Sequence, residues 1–227
     1  MLVLALDTSA DITVALVRDG ATLAARRAAE QRRHAELLAP LVAEVLAEAG
    51  RAAGAIEAVV VGTGPAPFTG LRAGLVTART LAWSLGVPVL GVCSLDAYAA
   101  QAYEGCADRD ADVLVVTDAR RREVYAARYR WDGPDGDVAC VEGPAVLHAA
   151  TLAADPSTAR SVVVGPGAGL YPDDLTAAPG APTVLDPAVL ARLATLRAAT
   201  GRDQPTAPLY LRRPDVMPSA ARKRATG

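Results

Sequence analysis

The sequence predicts an α/β fold of two lobes built on one repeated unit, and three observations carry that prediction. Leu2 to Leu6 is an apolar run that ends at Asp7-Thr8-Ser9-Ala10-Asp11, and Ile12 to Val17 returns to Asp19-Gly20, which reads as a β-hairpin. The same plan recurs 110 residues later: Val113 to Thr117, a turn through Asp118-Ala119-Arg120-Arg121-Arg122, and Glu123 to Trp131 ending at Asp132-Gly133. Between the hairpins, apolar strand patterns alternate with helical ones.

The elements follow in order. The first strand is apolar on both faces, so both faces of its sheet are expected to be covered. Arg33 to Ala49 is predicted helical, with rows Leu37, Leu41, Val45 and Leu38, Val42, Leu46 against a wet face of Glu36, Glu44 and Glu48; Pro40 should kink it or tighten its first turn. Ala58 to Val61 reads as a strand, Gly62 to Thr69 as a glycine and proline loop, Gly70 to Leu85 as a helix, Val87 to Val92 as a buried strand and Ser94 to Glu104 as a helix. In the second half, Ser161 to Val164 is a strand leading into Gly165-Pro166-Gly167-Ala168-Gly169, and Pro187 to Thr200 is a helix with proline suited to its first turn. A boundary near Tyr103 to Asp110 gives an N-terminal lobe over 1–103 and a C-terminal lobe with a basic tail over 104–227, whose order is expected to fade by Met217.

Composition excludes several classes. Of the 227 residues 52% are hydrophobic, and even with the 50 alanines set aside enough large apolar side chains remain to fill a core. The longest uncharged stretch, Thr80 to Leu95, is interrupted by Gly86, Pro88 and Gly91 and falls short of the roughly 20 residues a membrane span needs. The start, MLVLAL, has no basic region and meets Asp7 too early for a signal peptide, so a cytoplasmic location is expected. Cys93, Cys106 and Cys140 are odd in number and form no CxxC, which fits buried thiols. Lys223 is the one lysine beside 22 arginines, so no P-loop GK[ST] exists. The net charge is −2, yet Arg212, Arg213, Arg222, Lys223 and Arg224 face only Asp215 in the tail, which makes these five the candidate phosphate contacts for RNA.

The loop ahead of the second helix invites a phosphate-cradle reading, but Pro65 and Pro67 each remove an N–H donor, which favours a rigid strand-to-helix connection. Along the helix, Ala66, Gly70, Gly74, Ala78 and Ala82 recur every four residues as a ridge without bulk that lets another backbone approach. Leu71 lies beside it, and Arg72, Val76, Arg79 and Trp83 form a different face. Internal packing and a partner surface both satisfy this pattern. The partner-surface reading takes Gly70, Leu71, Arg72, Gly74, Ala78, Arg79 and Trp83 with Leu37, Leu41 and Val45 as a docking site, since Arg and Trp are enriched in binding hot spots.

LALDTS, GPAPFTGLRAG at Gly64 to Gly74, VPVLGVCSL, DARRREVY at Asp118 to Tyr125, and PLYLRRPDV together resemble the bacterial TsaB family, also called YeaZ, in order from Leu4 to Val216. The resemblance implies an actin, sugar-kinase and heat-shock-ATPase-like fold with two ribonuclease-H-like lobes. It also implies partnership. TsaB-like proteins bind a TsaD-like catalytic subunit and, with a TsaE-like ATPase, support threonylcarbamoyl transfer to the adenosine beside the tRNA anticodon. The chain is then a noncatalytic subunit without a cofactor, ATP and metal belonging to its partners, and in isolation a second copy is expected on the partner's surface. No histidine pair exists to hold a metal, His34 and His148 being 114 residues apart; a solvated or capping role is expected for His34. Asp7 and Asp118 correspond in position to the aspartates that place metal and phosphates in kinases of this fold. The residues after them, Thr8-Ser9 and Ala119-Arg120, lack the glycines that let phosphates approach. Asp7, Thr8, Asp118, Gly165 and Gly167 therefore mark a degenerate nucleotide pocket, in which Asp7 and Asp118 are expected to act as turn formers. One departure is Ala66, where the family loop carries glycine; a positive φ there would strain the alanine by about 1–2 kcal/mol.

The alternative readings are a small-molecule kinase of the same fold, opposed by the missing phosphate turns, and a peptidase, for which Ser9, Ser94 or Cys93 would need one of only two histidines as base. A self-standing RNA-binding module is opposed by the net charge and by 4% aromatic content.

Overall fold

The computed structural model describes residues 1–29, 33–105, 107–133 and 136–212. Strands β1 (Leu2–Asp7), β2 (Ile12–Arg18), β3 (Ala21–Ala28), β4 (Ala58–Gly62) and β5 (Val89–Val92) form one sheet in the order β3-β2-β1-β4-β5. Pairing is antiparallel among the first three and parallel from β1 to β4 and β4 to β5. Strands β6 (Val113–Arg120), β7 (Glu123–Asp132), β8 (Asp137–His148) and β9 (Val162–Val164) form the second sheet in the order β8-β7-β6-β9, with the same hairpin and the same parallel neighbour. The repeated hairpin is thus the centre of each sheet, and the chain has the two-lobed, ribonuclease-H-like duplication of the actin-like fold.

Sequence reading missed β3 and β8. Both are edge strands: β3 presents Arg26 and Arg27 and is mostly exposed, and β8 is largely half-buried or exposed. An edge that faces water needs no apolar alternation and is protected by charge, so periodicity does not reveal it.

Helices α1 (His34–Glu48) and α2 (Phe68–Leu85) cover the outer face of the first sheet, and α4 (Ala149–Ala153) and α5 (Pro166–Leu170) that of the second. Between the sheets lie α3 (Ser94–Gly105) and α6 (Pro187–Ala199). They are exchanged: α3, from the first half, packs on β6, β7 and β8, whereas α6, from the second half, packs on β1, β2, β4 and β5. Residue 103 falls inside α3, and its Tyr103 hydroxyl donates to the carbonyls of Ala111 (2.7 Å) and Tyr129 (3.2 Å). Each lobe therefore completes its core with the other half of the chain.

A buried ion cluster pins this exchange. The Arg197 side chain, on α6, is 5% exposed and reaches Asp96 of α3 (2.9 Å) and Asp137 of β8 (2.7 Å), while the Tyr129 hydroxyl donates to Asp96 (2.8 Å). Burial alone would raise the Asp137 carboxyl, but the Arg197 hydrogen bonds outweigh it and hold the group below its usual range. Removing the guanidinium strips Asp96 of this cation and leaves Asp137 with only the exposed Arg202 (3.0 Å), and breaking a buried pair typically costs about 3–5 kcal/mol. Arg197→Met should accordingly lower the unfolding free energy by about that amount in a urea melt; a loss under about 1 kcal/mol would mean that the cluster is a bystander.

Candidate functional site

The two hairpin turns face one another across an interlobe cleft of about 640 Å³, lined among others by Thr8, Ser9, Asp11 and Gly70 from the first lobe and by Asp118 and Arg120 from the second. Asp7 ends β1 but does not line the cleft. It is 1% exposed; Oδ1 accepts from the Ser9 amide (2.7 Å) and hydroxyl (2.5 Å), and Oδ2 accepts from the Ser94 hydroxyl (2.5 Å). A Cβ at Gly62 would lie 1.7 Å from Oδ2, so only glycine leaves room for this carboxyl. Burial pushes the Asp7 carboxyl above its ordinary range, against the opposing hydrogen bonds from both serines. Asp118 does border the cleft, but its Oδ1 accepts from the Arg120 amide (2.7 Å) and its Oδ2 pairs with the Arg120 guanidinium (3.1 Å). Arg27, also on the wall, pairs with Asp11 (2.6 Å). The charged groups of the walls thus meet each other.

The other pocket residues are accounted for by packing. Gly165, at φ 97, and Gly167 let α5 press on the β6 backbone: added Cβ atoms would approach Val116 O to 2.3 and 2.9 Å. The Thr8 hydroxyl is buried and donates to the Gly70 carbonyl (2.9 Å). Both serines considered as nucleophiles donate to Asp7 instead of an imidazole, and burial drives the Cys93 thiol well above its usual range. His34 departs from the solvated or capping role expected of it. It is 7% exposed beside the cleft, Nε2 has no hydrogen-bond partner, and burial lowers its pKa against a backbone hydrogen bond with Ala10.

The α2 ridge faces inward, correcting the expectation that it lies open to a partner. A Cβ at Gly74 would sit 2.3 Å from Thr8 Oγ1, and one at Gly70 would sit 3.0 Å from His34 Nε2. Leu71 and Ala78 are fully buried, and Leu41 and Val45 of α1 belong to the same core, with Leu37 packed against it. The outward face is the other one predicted: Arg72, Val76, Arg79 and Trp83 are exposed, with Val76 at 61% and Trp83 at 85%. Ala66 is not among the positive-φ residues; the left-handed position of the loop is Gly64, at φ 84, so the alanine carries no strain.

Beyond α6 the chain runs as a strap, residues 204–212, that sequence reading leaves unassigned. The Gln204 carbonyl accepts from Gly91 N (3.0 Å), capping the β5 edge, and Leu209 N donates to Thr63 O (2.9 Å). Tyr210 stacks on Phe68, with ring centroids 4.3 Å apart and planes at 19°, and its hydroxyl accepts from Arg72 Nε (2.9 Å). The Arg72 guanidinium lies 3.7 Å over the Phe68 ring. Arg79 donates to Thr206. Arg212 then crosses to the second lobe, donating to Ala119 O (2.6 Å) and pairing with Glu123. The RNA role expected of Arg212 is thereby corrected: its guanidinium closes the strap on the β6–β7 turn. Arg213, Arg222, Lys223 and Arg224 lie outside the described residues. The strap explains why FTGLR, DAR with EVY, and P-x-YLR occur together, since they are three sides of one contact. Phe68 and Tyr210 were missed as site residues, although PLYLR was itself the available signal.

Two predictions follow from this geometry. Gly74→Leu should lower the thermal midpoint sharply, because overpacking against Thr8 costs about 1–3 kcal/mol or more; an unchanged melt would place the ridge outside the core. The raised Asp7 carboxyl favours the protonated folded form, so its contribution to stability is fully present below its unfolded value near 3.8 and is lost as pH rises through its folded value. Asp7→Asn, which does not titrate, should therefore gain stability relative to wild type as pH rises from about 4 to 7. Urea melts across that range would refute the assignment if the difference stayed flat or reversed.

Among the described residues no group of three or more His, Cys, Asp or Glu is arranged to hold a metal ion, and no helix is long and apolar enough to cross a membrane. In comparison with known proteins, the model of the TsaD family, described as tRNA N6-adenosine threonylcarbamoyltransferase, matches residues 26–162. An uncharacterized protein of Mycobacterium tuberculosis is 42% identical over 96% of this chain and 95% of its own. The tRNA threonylcarbamoyladenosine biosynthesis protein TsaB of Escherichia coli is 33% identical over 76% of this chain and 74% of its own. Among solved structures, YeaZ from Pseudomonas aeruginosa superposes with a TM-score of 0.74 at 33% identity, over 92% of this chain and 99% of that one. With the duplicated topology and the three converging motifs, these similarities establish that the chain belongs to the TsaB/YeaZ family.

Proposed function

We propose that this chain is a noncatalytic, cytoplasmic accessory subunit of tRNA threonylcarbamoyladenosine biosynthesis that docks a TsaD-like catalytic subunit on the outward face of α2. The observation that carries the reading is the character of that face. Val76 and Trp83 are large apolar side chains held in water, on one face with Arg72 and Arg79, on a helix whose opposite side is firmly buried. An exposed tryptophan one turn beyond an arginine is the composition of a binding hot spot, and no internal packing requires it there. The strap stiffens the face, because Arg72 and Arg79 are already oriented by Tyr210 and Thr206, so little side-chain entropy remains to be lost on docking.

The noncatalytic part of the reading is supported by the cleft. Asp7 and Asp118, the aspartates a kinase of this fold would direct at metal and phosphates, are engaged by Ser9, Ser94 and Arg120. The serines a peptidase would use are engaged by Asp7. ATP and metal chemistry is then the work of the TsaD-like subunit and a TsaE-like ATPase, tRNA is met through the assembled complex, and a second copy of this chain occupies the α2 face when the partner is absent.

Trp83→Ala should weaken association with the TsaD-like subunit by about 30-fold or more, the effect of losing a hot spot of about 2 kcal/mol, while the thermal melt stays within about a degree of wild type. Sedimentation velocity of the mixed subunits measures the first and a melt the second. Undiminished association would move the interface away from α2.

A further inference from the structure

We infer that the β6–β7 turn, Arg120-Arg121-Arg122, is a phosphate-binding lip that meets the ribose-phosphate backbone of tRNA. The inference rests on the tRNA-modification reading above and deepens it by naming where this chain touches the nucleic acid. Its first ground is backbone conformation. Arg120 pairs with Glu123, so Arg121 and Arg122 are the two central residues of a hairpin turn, at φ 55 and 64, and Arg120 is itself at φ 64. A two-residue turn with both φ positive strongly prefers Asn-Gly or Asp-Gly. The chain uses that solution in its other two-residue hairpin, where Asp19 and Gly20 stand at φ 49 and 83 between Arg18 and Ala21. Three successive arginines in left-handed conformation are the costly alternative, and such outliers gather where function requires the side chain.

The second ground is charge. Residues 118–123 together with 212–227 carry eight basic side chains against three acidic ones, in a chain whose net charge is −2. The remainder is therefore strongly acidic. Arg212 is anchored on Ala119 and Glu123, beside the arginine turn. Among the described residues, the turn is met by the acidic groups Asp118, paired with Arg120, and Glu123, paired with Arg212; His148 lies 3.9 Å from Glu123.

The third ground separates RNA from an acidic protein surface. Arg120 and Arg121 border a hollow of about 170 Å³ shared with Phe68, Tyr125 and Tyr210, and Tyr210 is 38% exposed. Arginines beside an accessible aromatic stack suit phosphates flanked by an unpaired base.

The test exploits opposite signs. In the full-length chain, Arg121→Asn with Arg122→Gly installs the preferred turn and removes two cations. It should raise the thermal midpoint by a few degrees while lowering the slope of log affinity for labelled tRNA against log salt, between about 50 and 200 mM, by about 1–2. Arg121→Lys with Arg122→Lys keeps the charge and should keep the slope. An unchanged slope in the Asn-Gly variant, or an equal fall in the Lys-Lys variant, overturns the proposal. Association with the TsaD-like subunit is measured in parallel: weakened association with an unchanged tRNA slope would assign the lip to the protein partner, and loss of association in the wild-type chain would defeat the subunit reading alone.

Discussion

The cleft-facing end of the first lobe is organised around one buried carboxyl. Asp7 ends the central strand, its two oxygens accept from the β1–β2 turn through Ser9 and from the start of α3 through Ser94, and the absent side chain of Gly62 leaves it the space. Ser94 in turn accepts from Gly64 N (3.2 Å), and its own amide donates to the Gly64 carbonyl (2.8 Å), which fixes the loop that launches α2. A carboxyl buried without such donors would be costly, so the strand end, the turn, the loop and the interlobe helix hold their geometry together. An aspartate in a position that could bind metal and phosphate has become a structural post.

The second constraint is closure across the lobes. The exchange of α3 and α6 buries the inner face of each sheet under a helix from the other half, and the strap adds a surface tie through Tyr210 and Arg212. These ties act at different depths. The Arg197 cluster lies in the core between the sheets, whereas the Arg72, Phe68 and Tyr210 stack lies at the rim of the cleft, where its arginine and tyrosine remain partly open to water. A two-lobed fold that opened and closed around a ligand would be hindered by such bracing. The accessory-subunit role proposed above, which needs a rigid face, would be served by it.

Helix α2 shows how one element serves both ends. Its small residues let α1 and the β1–β2 turn come close on one side, and this close packing leaves the Arg72, Val76, Arg79 and Trp83 face as the side turned to water. The helix could not offer both faces to a partner, because the ridge without bulk has its complement inside the chain, in Thr8 and His34.

The sequence by itself determined the duplicated hairpin, the four long helices and most strands, because their apolar periods are set locally by side-chain direction, but not the single-turn α4 and α5. It also determined which four residues of α2 share a face apart from the ridge, since helical spacing fixes this. It did not reveal β3 and β8, whose exposed edges carry no apolar signal, nor which α2 face turns inward, since both are compatible with the same periodicity. Asp118 turns to Arg120 two residues on, a local turn contact, whereas the full burial of Asp7 and the closure through Arg212 were decided by tertiary structure. Whether an ionisable side chain meets a ligand or another part of its own chain depends on partners distant in sequence, such as Ser94 for Asp7 and Glu123 for Arg212, and only folding brings those partners within hydrogen-bond reach.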